Sequence, residues 1–315
     1  MGDKKNIPVF LHIPKCAGIY VRSCLLSFLR RYCWYKYREV PKFVCGYIEV
    51  GHFYSAPVKK KHLVSTIGGA HIEFAAFPPI SADFIAYVVF KSQVPEQFRV
   101  DGLHFSMTHD EFLNMLESDD LDVFAAVVTS EMLANNSFET LAAVNQLVPY
   151  NLTYFASVKT PFERALSMYY VHKQQGDSIP SMMLLPFYEY SFSEFKSFLL
   201  SSDSEPGWVT KFLVGALGDD LSAVDFLAYP IQRINELLFR VFSDAYDLEV
   251  IPEEFKPSEN GILGYPKVNE TSIKYKYKLE DLSFEENSRY LDLHSEDLAV
   301  IDFLQNAPCC KLNHN

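Results

Sequence analysis

Positive charge and long apolar runs are what this chain has least of. Its 28 Lys and Arg face 40 Asp and Glu, a formal net charge of −12. Tight binding of nucleic acid rests on Lys and Arg contacts to phosphates, so no nucleic-acid partner is expected. No stretch of about 18 uncharged apolar residues occurs, which is the length a membrane-crossing helix needs, and no membrane span is expected. At the amino end the charges of Asp3, Lys4 and Lys5 precede only the apolar stretch Ile7 to Leu11, which Pro8 breaks and which is too short for a secretion signal. The six cysteines, Cys16, Cys24, Cys33, Cys45, Cys309 and Cys310, form no C-x-x-C pair and no zinc-finger spacing with a histidine pair. Reduced thiols and no metal site are therefore expected. Gly and Pro, at 13 and 17, are too few for a collagen-like or low-complexity chain.

What is present is the composition of a folded protein: 315 residues, 49% hydrophobic and 15% aromatic. That length suits one large or two modest domains and buries well over half of the unfolded chain's surface. No linker is convincing enough to cut the chain, so a single domain over residues 1–315 is expected, with residues 76–149 an unplaced, motif-free insertion expected to build acceptor specificity or to pack outside the sheet. Strand and helix signals alternate through the first half, the pattern of an α/β fold with a mainly parallel central sheet flanked by helices. The strand candidates are Ile7 to His12, Leu63 to Ile67, Phe84 to Phe90, Val123 to Thr129 and Thr153 to Val158, runs rich in Val, Ile, Phe and Tyr. Tyr20 to Arg31 reads as a helix with Tyr20, Cys24, Leu25, Phe28 and Leu29 on one face. After Lys173 the chain turns helical, with segments expected at Phe192 to Leu200, Trp208 to Leu217, Leu221 to Leu227, Ile231 to Phe242 and Phe284 to Leu304. Ser283 and Glu286 have capping-box spacing at the start of the last one, and Glu249 to Lys278, punctuated by Pro and Gly, reads as a long surface loop.

Two motifs carry chemistry. The first is Phe10-Leu11-His12-Ile13-Pro14-Lys15-Cys16-Ala17-Gly18. A strand that ends in a small-residue turn before a helix presents free backbone N–H groups at the positive end of a helix dipole, and Lys15 adds a charge there. The Lys precedes the Gly and no Ser or Thr follows it to hold magnesium, so this is not the loop of the common nucleotide hydrolases. The second motif is Lys159-Thr160-Pro161-Phe162-Glu163-Arg164-Ala165-Leu166-Ser167-Met168-Tyr169-Tyr170. Thr160 suits the N-cap, Pro161 the first helical position and Glu163 the return bond of a capping box. Arg164 and Ser167, three residues apart on that helix, share a face with which Lys159 converges on one phosphate. Each motif alone is also compatible with an ordinary turn or a capped helix with surface charges.

Together and in this order, the two motifs resemble the paired cofactor loops of sulfotransferases that use 3′-phosphoadenosine 5′-phosphosulfate (PAPS), above all the heparan sulfate 2-O-sulfotransferase-like group of carbohydrate sulfotransferases. There the first loop reads F-L-H-I-P-K-T-G-G-T-S and the second R-D-P-x-x-R-x-x-S-x-Y-Y, which Phe10 to Tyr20 and Lys159 to Tyr170 follow in register. Trp208 to Gly215, Tyr229 to Asn235 and Lys267 to Lys274 resemble later segments of the family, so the likeness covers about residues 7–75 and 150–305. It implies a P-loop-like sulfotransferase fold with a helical carboxyl-terminal half. It also implies PAPS as co-substrate, without a metal, and a carbohydrate or small-molecule acceptor. The chain's acidity favours a small or neutral acceptor over a densely sulfated glycan.

By that resemblance the 5′-phosphosulfate is held by Lys15, Cys16, Ala17, Gly18, Ile19 and Tyr20, the 3′-phosphate by Lys159, Arg164 and Ser167, and a late polar loop closes with Thr271, Ser272 and Lys274. The family's Thr-Gly-Gly-Thr-Ser stands here as Cys16-Ala17-Gly18-Ile19-Tyr20, which leaves the 5′-phosphate to backbone N–H groups and Lys15. Lys159 in place of Arg keeps the charge and loses bidentate geometry. Catalysis is assigned to Lys15, which meets charge on the leaving oxygen, and to a histidine base, either His52 or His71, with Glu73 a weaker candidate. The run Lys59-Lys60-Lys61-His62 reads as a solvated turn or as a guide for an anionic ligand. The competing readings are a catalytically silent nucleotide-binding relative and a nucleotide-dependent phosphotransferase. The expected compartment is the cytoplasm, or the Golgi lumen if an amino-terminal anchor precedes this chain.

Overall fold

The computed structural model describes residues 5–13, 15–37, 44–50, 62–67, 70–75, 84–91, 94, 96–102, 104–129, 150–176, 192–210, 213, 226–258 and 277–306. In chain order the strands are β1 (Asn6–His12), β2 (Val44–Val50), β3 (His62–Ile67), β4 (Ala70–Ala75), β5 (Phe84–Phe90), β6 (Arg99–Asp101), β7 (His104–Met107), β8 (Leu121–Thr129), β9 (Asn151–Val158) and β10 (Phe226–Pro230). The described α-helices are α1 (Gly18–Lys36), α2 (His109–Glu117), α3 (Pro161–Gly176), α4 (Phe192–Leu199), α5 (Ile234–Ala245), α6 (Phe284–Leu293) and α7 (Ser295–Asn306). The chain is α/β, and it divides into two compact units, Met1–Cys24 with Tyr150–Asn315, and Leu25–Pro149.

In the first unit β1 and β10 both pair with β9, and both pairings are parallel, so the expected parallel sheet is found here. The reason is local: Ile7, Val9, Phe10 and Leu11 are all fully buried, as a strand covered on both faces requires. The helix expected over Leu221 to Leu227 gives way at its end to β10, where Phe226 and Leu227 pair with Tyr154 and Phe155 of β9. An open strand edge outweighs the weak helical pattern of that short apolar run. The helix expected over Phe284 to Leu304 is two helices, parted at His294, whose buried ring places Nε2 3.2 Å from the Leu199 carbonyl and 3.5 Å from the Ser204 hydroxyl. Residues Ile231–Arg233 form a 3-10 turn before α5, which buries Ile234, Leu237, Leu238, Val241 and Phe242 as one stripe. A second core gathers Phe162, Ala165, Leu166 and Tyr169 of α3 with Phe195, Leu199, Tyr277, Leu282 and Tyr290.

In the second unit the strands run in the order β8-β5-β2-β7-β6, with β3 and β4 forming a separate hairpin. Here the sheet is mixed: β5 is antiparallel to both β8 and β2, β2 is parallel to β7, and β7 is antiparallel to β6. The motif-free residues 76–149 thus supply β5 to β8 and α2, whose capping box joins Thr108 and Glu111. Cys16, Cys24, Cys33 and Cys45 are buried, while Cys309 and Cys310 lie outside the described residues. Among the described residues no helix is long and apolar enough to cross a membrane.

Candidate functional site

The two motifs meet because β1 and β9 are adjacent and parallel, in register from Asn6 opposite Asn151 to Phe10 opposite Phe155. Parallel neighbours deliver their carboxyl ends to the same edge of the sheet, so the turn after β1 and the turn after β9 emerge side by side. The Ser157 hydroxyl, at the end of β9, donates to the Cys16 carbonyl and ties the two turns together across 141 residues of sequence.

The first turn is shaped by its backbone. Lys15 and Ala17 both hold left-handed conformations, with φ of 67° and 61°. Neither is Gly, and side chains resist that region, so the turn stores strain of the kind found at ligand-binding loops. Gly18 then opens α1 directly against His12, and a Cβ there would lie 1.8 Å from the ring's Nε2. That close approach leaves room for Gly alone. The N–H groups of Gly18, Ile19 and Tyr20, in the first turn of α1, have no intrahelical acceptor.

The second turn is shaped by side chains. Glu163 N–H donates to Thr160 Oγ1 at 3.3 Å, and Thr160 N–H donates to Glu163 Oε2 at 3.1 Å, which completes the expected capping box. Phe162 N–H donates to the Tyr290 hydroxyl at 3.2 Å. The first N–H groups of α3 are therefore occupied, and what this turn offers an anion is the side chains of Lys159, Arg164 and Ser167.

The Lys15 ammonium is held below its ordinary range by burial and then by the positive charges of Lys159 and Arg164. Two cations of the second motif thus act on the lysine of the first. His12 is pushed down to about 3 by burial and by Arg22 and Lys15 beside it, so its ring is neutral near pH 7. It stacks on Phe10 at 5.9 Å, and its Nδ1 is buried without a hydrogen-bond partner among the described residues. Arg164, 3% exposed, donates from Nη2 to Glu205 at 2.7 Å, and its guanidinium lies 4.8 Å from the Trp208 ring centre.

Not every expected group is free for a ligand. Cys16 donates its N–H to the Ile13 carbonyl at 3.2 Å, accepts Ser157 at its own carbonyl, and buries its thiol, which burial pushes up to about 11. The Tyr20 hydroxyl donates to Asn235 Oδ1 at 2.5 Å, which leaves its N–H. Ser167 is half-buried on α3, one turn beyond Arg164. His71 stands on β4 opposite Thr66, and Glu73 opposite Val64, in the hairpin of the second unit. His52, Thr271, Ser272 and Lys274 lie outside the described residues.

Sequence reasoning did not find Ser157, His12 or Glu205 as parts of the site. Ser157 carried a signal, a buried hydroxyl at the end of a strand two residues before Lys159. Glu205 carried none, since only the tertiary fold brings its turn to Arg164.

The arrangement fits a phosphate ester. A lysine held down by neighbouring cations is relieved by an anion placed beside it. Its two nearby carboxylates, Glu163 and Glu205, are engaged by the Thr160 cap and by Arg164. No group of three His, Cys, Asp or Glu able to hold a metal occurs among the described residues. No protein-family model, curated protein or solved structure matches the chain.

Proposed function

We propose that the chain is a sulfotransferase that moves a sulfuryl group from PAPS to a hydroxyl or amine of a carbohydrate or small-molecule acceptor. The observation that carries the reading is the joining of the turns after β1 and β9 at one sheet edge, where Lys159 and Arg164 act on Lys15. The nucleotide, when bound, supplies the sulfuryl group and a leaving phosphate on which charge builds. Lys15 meets that charge, and an ammonium already destabilised by its neighbours gains more from a nearby anion than an isolated one does. The N–H groups of Gly18, Ile19 and Tyr20 orient the 5′ end, and Lys159, Arg164 and Ser167 hold the 3′-phosphate. Left-handed geometry at Ala17, where the family pattern has Gly, supports the register of the likeness.

His12 is not the base, because a ring pushed down to about 3 binds no proton near neutrality. For the acceptor's proton the resemblance offers His52 or His71 as the base. A second reading, a silent nucleotide-binding relative, is favoured by the internally bonded backbone and buried thiol of Cys16 and by the bond of the Tyr20 hydroxyl to Asn235, which take these groups away from an incoming phosphate.

Thermal unfolding with adenosine 3′,5′-bisphosphate, against ADP and ATP with and without magnesium, tests the site. A ligand that binds only the native state raises the melting temperature. The expected result is a rise specific to the bisphosphate, independent of magnesium, and lost in Lys159→Ala. No rise at millimolar nucleotide would overturn the reading. A rise without sulfate transfer to a panel of hydroxyl and amine acceptors would select the silent relative, and a magnesium requirement would select a phosphotransferase.

A further inference from the structure

Arg164 and Glu205 form an unequal pair. The Arg164 side chain is 3% exposed and lies against Trp208, whereas the Glu205 side chain is 45% exposed. The arginine is fixed and the glutamate has an open side. Arg164 Nη2 is engaged by the carboxylate at 2.7 Å, and its Nε, buried, has no hydrogen-bond partner among the described residues. The guanidinium therefore keeps unused donor capacity while a carboxylate covers one of its nitrogens. The field of Arg164 nevertheless reaches Lys15, so the covered group belongs to the cationic cluster.

Glu205 is also set there by its backbone. It ends the 3-10 turn Ser202–Ser204 in a left-handed conformation, φ 54°, with its N–H donating to the Ser202 carbonyl at 3.0 Å and Gly207 following at φ 70°. Glu is a poor residue for that conformation, and Gly or Asn would hold it at lower cost. Only the side chain, pivoting from an anchored backbone, is free to leave. A carboxylate brings one negative charge, whereas a phosphate monoester brings nearly two and three acceptor oxygens, so exchange at Arg164 favours the phosphate.

We infer that Glu205 is a built-in competitor at the anion site, which holds Arg164 until a phosphate monoester displaces it. It lowers affinity for the nucleotide and favours release of the spent one. The inference rests on the nucleotide-binding reading above and adds the regulation of that site.

Calorimetric titration of adenosine 3′,5′-bisphosphate into the wild-type chain, Glu205→Gln and Glu205→Gly provides the test. Gln keeps the shape without the charge, and Gly removes the side chain while accepting the left-handed backbone, so at least one variant retains the fold. Both are expected to bind about tenfold more tightly, the size of one charge-assisted hydrogen bond. Binding by the variants with none by the wild type would support the same conclusion. Unchanged or weaker binding in both variants, beside measurable wild-type binding, would overturn the role of Glu205 and leave the nucleotide site standing. No binding by any of the three would overturn both.

Discussion

The turn after β1 and the turn after β9 lie side by side at one sheet edge and prepare for an anion by opposite means. The first relies on backbone: two left-handed non-Gly residues, a Gly pressed onto a histidine ring, and helix N–H groups with no acceptor of their own. The second satisfies its helix start with Thr160, Glu163 and Tyr290, and offers side chains instead. The first arrangement suits a group whose position must be exact, as a reacting centre is, and it costs stability. The second suits an anchor, because side-chain cations hold a phosphate that does not react without a strained backbone to place it.

The largest expected effect separates these roles. On the proposed sulfotransferase reading, Lys15→Ala should lower kcat for sulfate transfer by roughly 10²–10³-fold, the range found when a group that stabilises transition-state charge is removed. Lys159→Ala should act chiefly on KM for the nucleotide. Steady-state kinetics of the two variants check this, and equal effects on KM alone would erase the division.

Acid should test the first turn next. Burial, with Arg22 and Lys15 beside it, pushes His12 in the fold from its ordinary 6.5 down to about 3. Below 6.5 the unfolded chain binds more protons, so the stability that the neutral ring contributes is complete above 6.5 and is lost as pH falls toward 3. The slope is up to about 1.4 kcal/mol per pH unit for one such group. Denaturant titrations between pH 7 and pH 4 should show a shallower loss in His12→Asn than in wild type. Parallel curves would mean that another group governs the acid limb.

Gly18→Ala drives a methyl group into the His12 ring and should cost about 1–3 kcal/mol, the usual range for overpacking. Adding His12→Ala should restore part of that loss, a coupling that chemical denaturation of the four-member cycle reads directly. The smallest effect belongs to the second turn. Thr160→Ala removes the cap of α3 and should cost about 1 kcal/mol. A cost as large as that of Gly18→Ala would show that the second turn is also held by strained local structure.

Much of the first unit was legible because its signals are short-range. An uninterrupted apolar run marks β1, and Thr160, Pro161 and Glu163 announce α3 with its cap. The helix beginning at Gly18 was recognisable two residues late, since the turn residues before it give no periodicity. β10 was misread at its start because an apolar run of a few residues carries no period that separates helix from strand, and its partner β9 lies far away in sequence. In the second unit β2, β4 and the short β6 and β7 went unread, and α2 with them, although the Thr108 to Glu111 spacing was a usable cap signal.

For the site, residue type and spacing picked out Lys15, Lys159, Arg164 and Ser167, and the fold brings the two groups of residues to one edge. The engagement of Cys16 and of the Tyr20 hydroxyl was hidden, since each partner, Ser157 or Asn235, is more than a hundred residues distant.

What the sequence by itself determined is local: where strands and caps fall, which residues carry charge, and that one lysine follows a strand while another precedes a helix. Only the tertiary structure decided that β1 and β9 are parallel neighbours, that Lys15 feels Lys159 and Arg164, and that Glu205 covers the arginine. The physical reason is range. Capping and periodicity act over three or four residues of backbone, whereas charge and hydrogen bonding act through space, on whatever the sheet order has brought within reach.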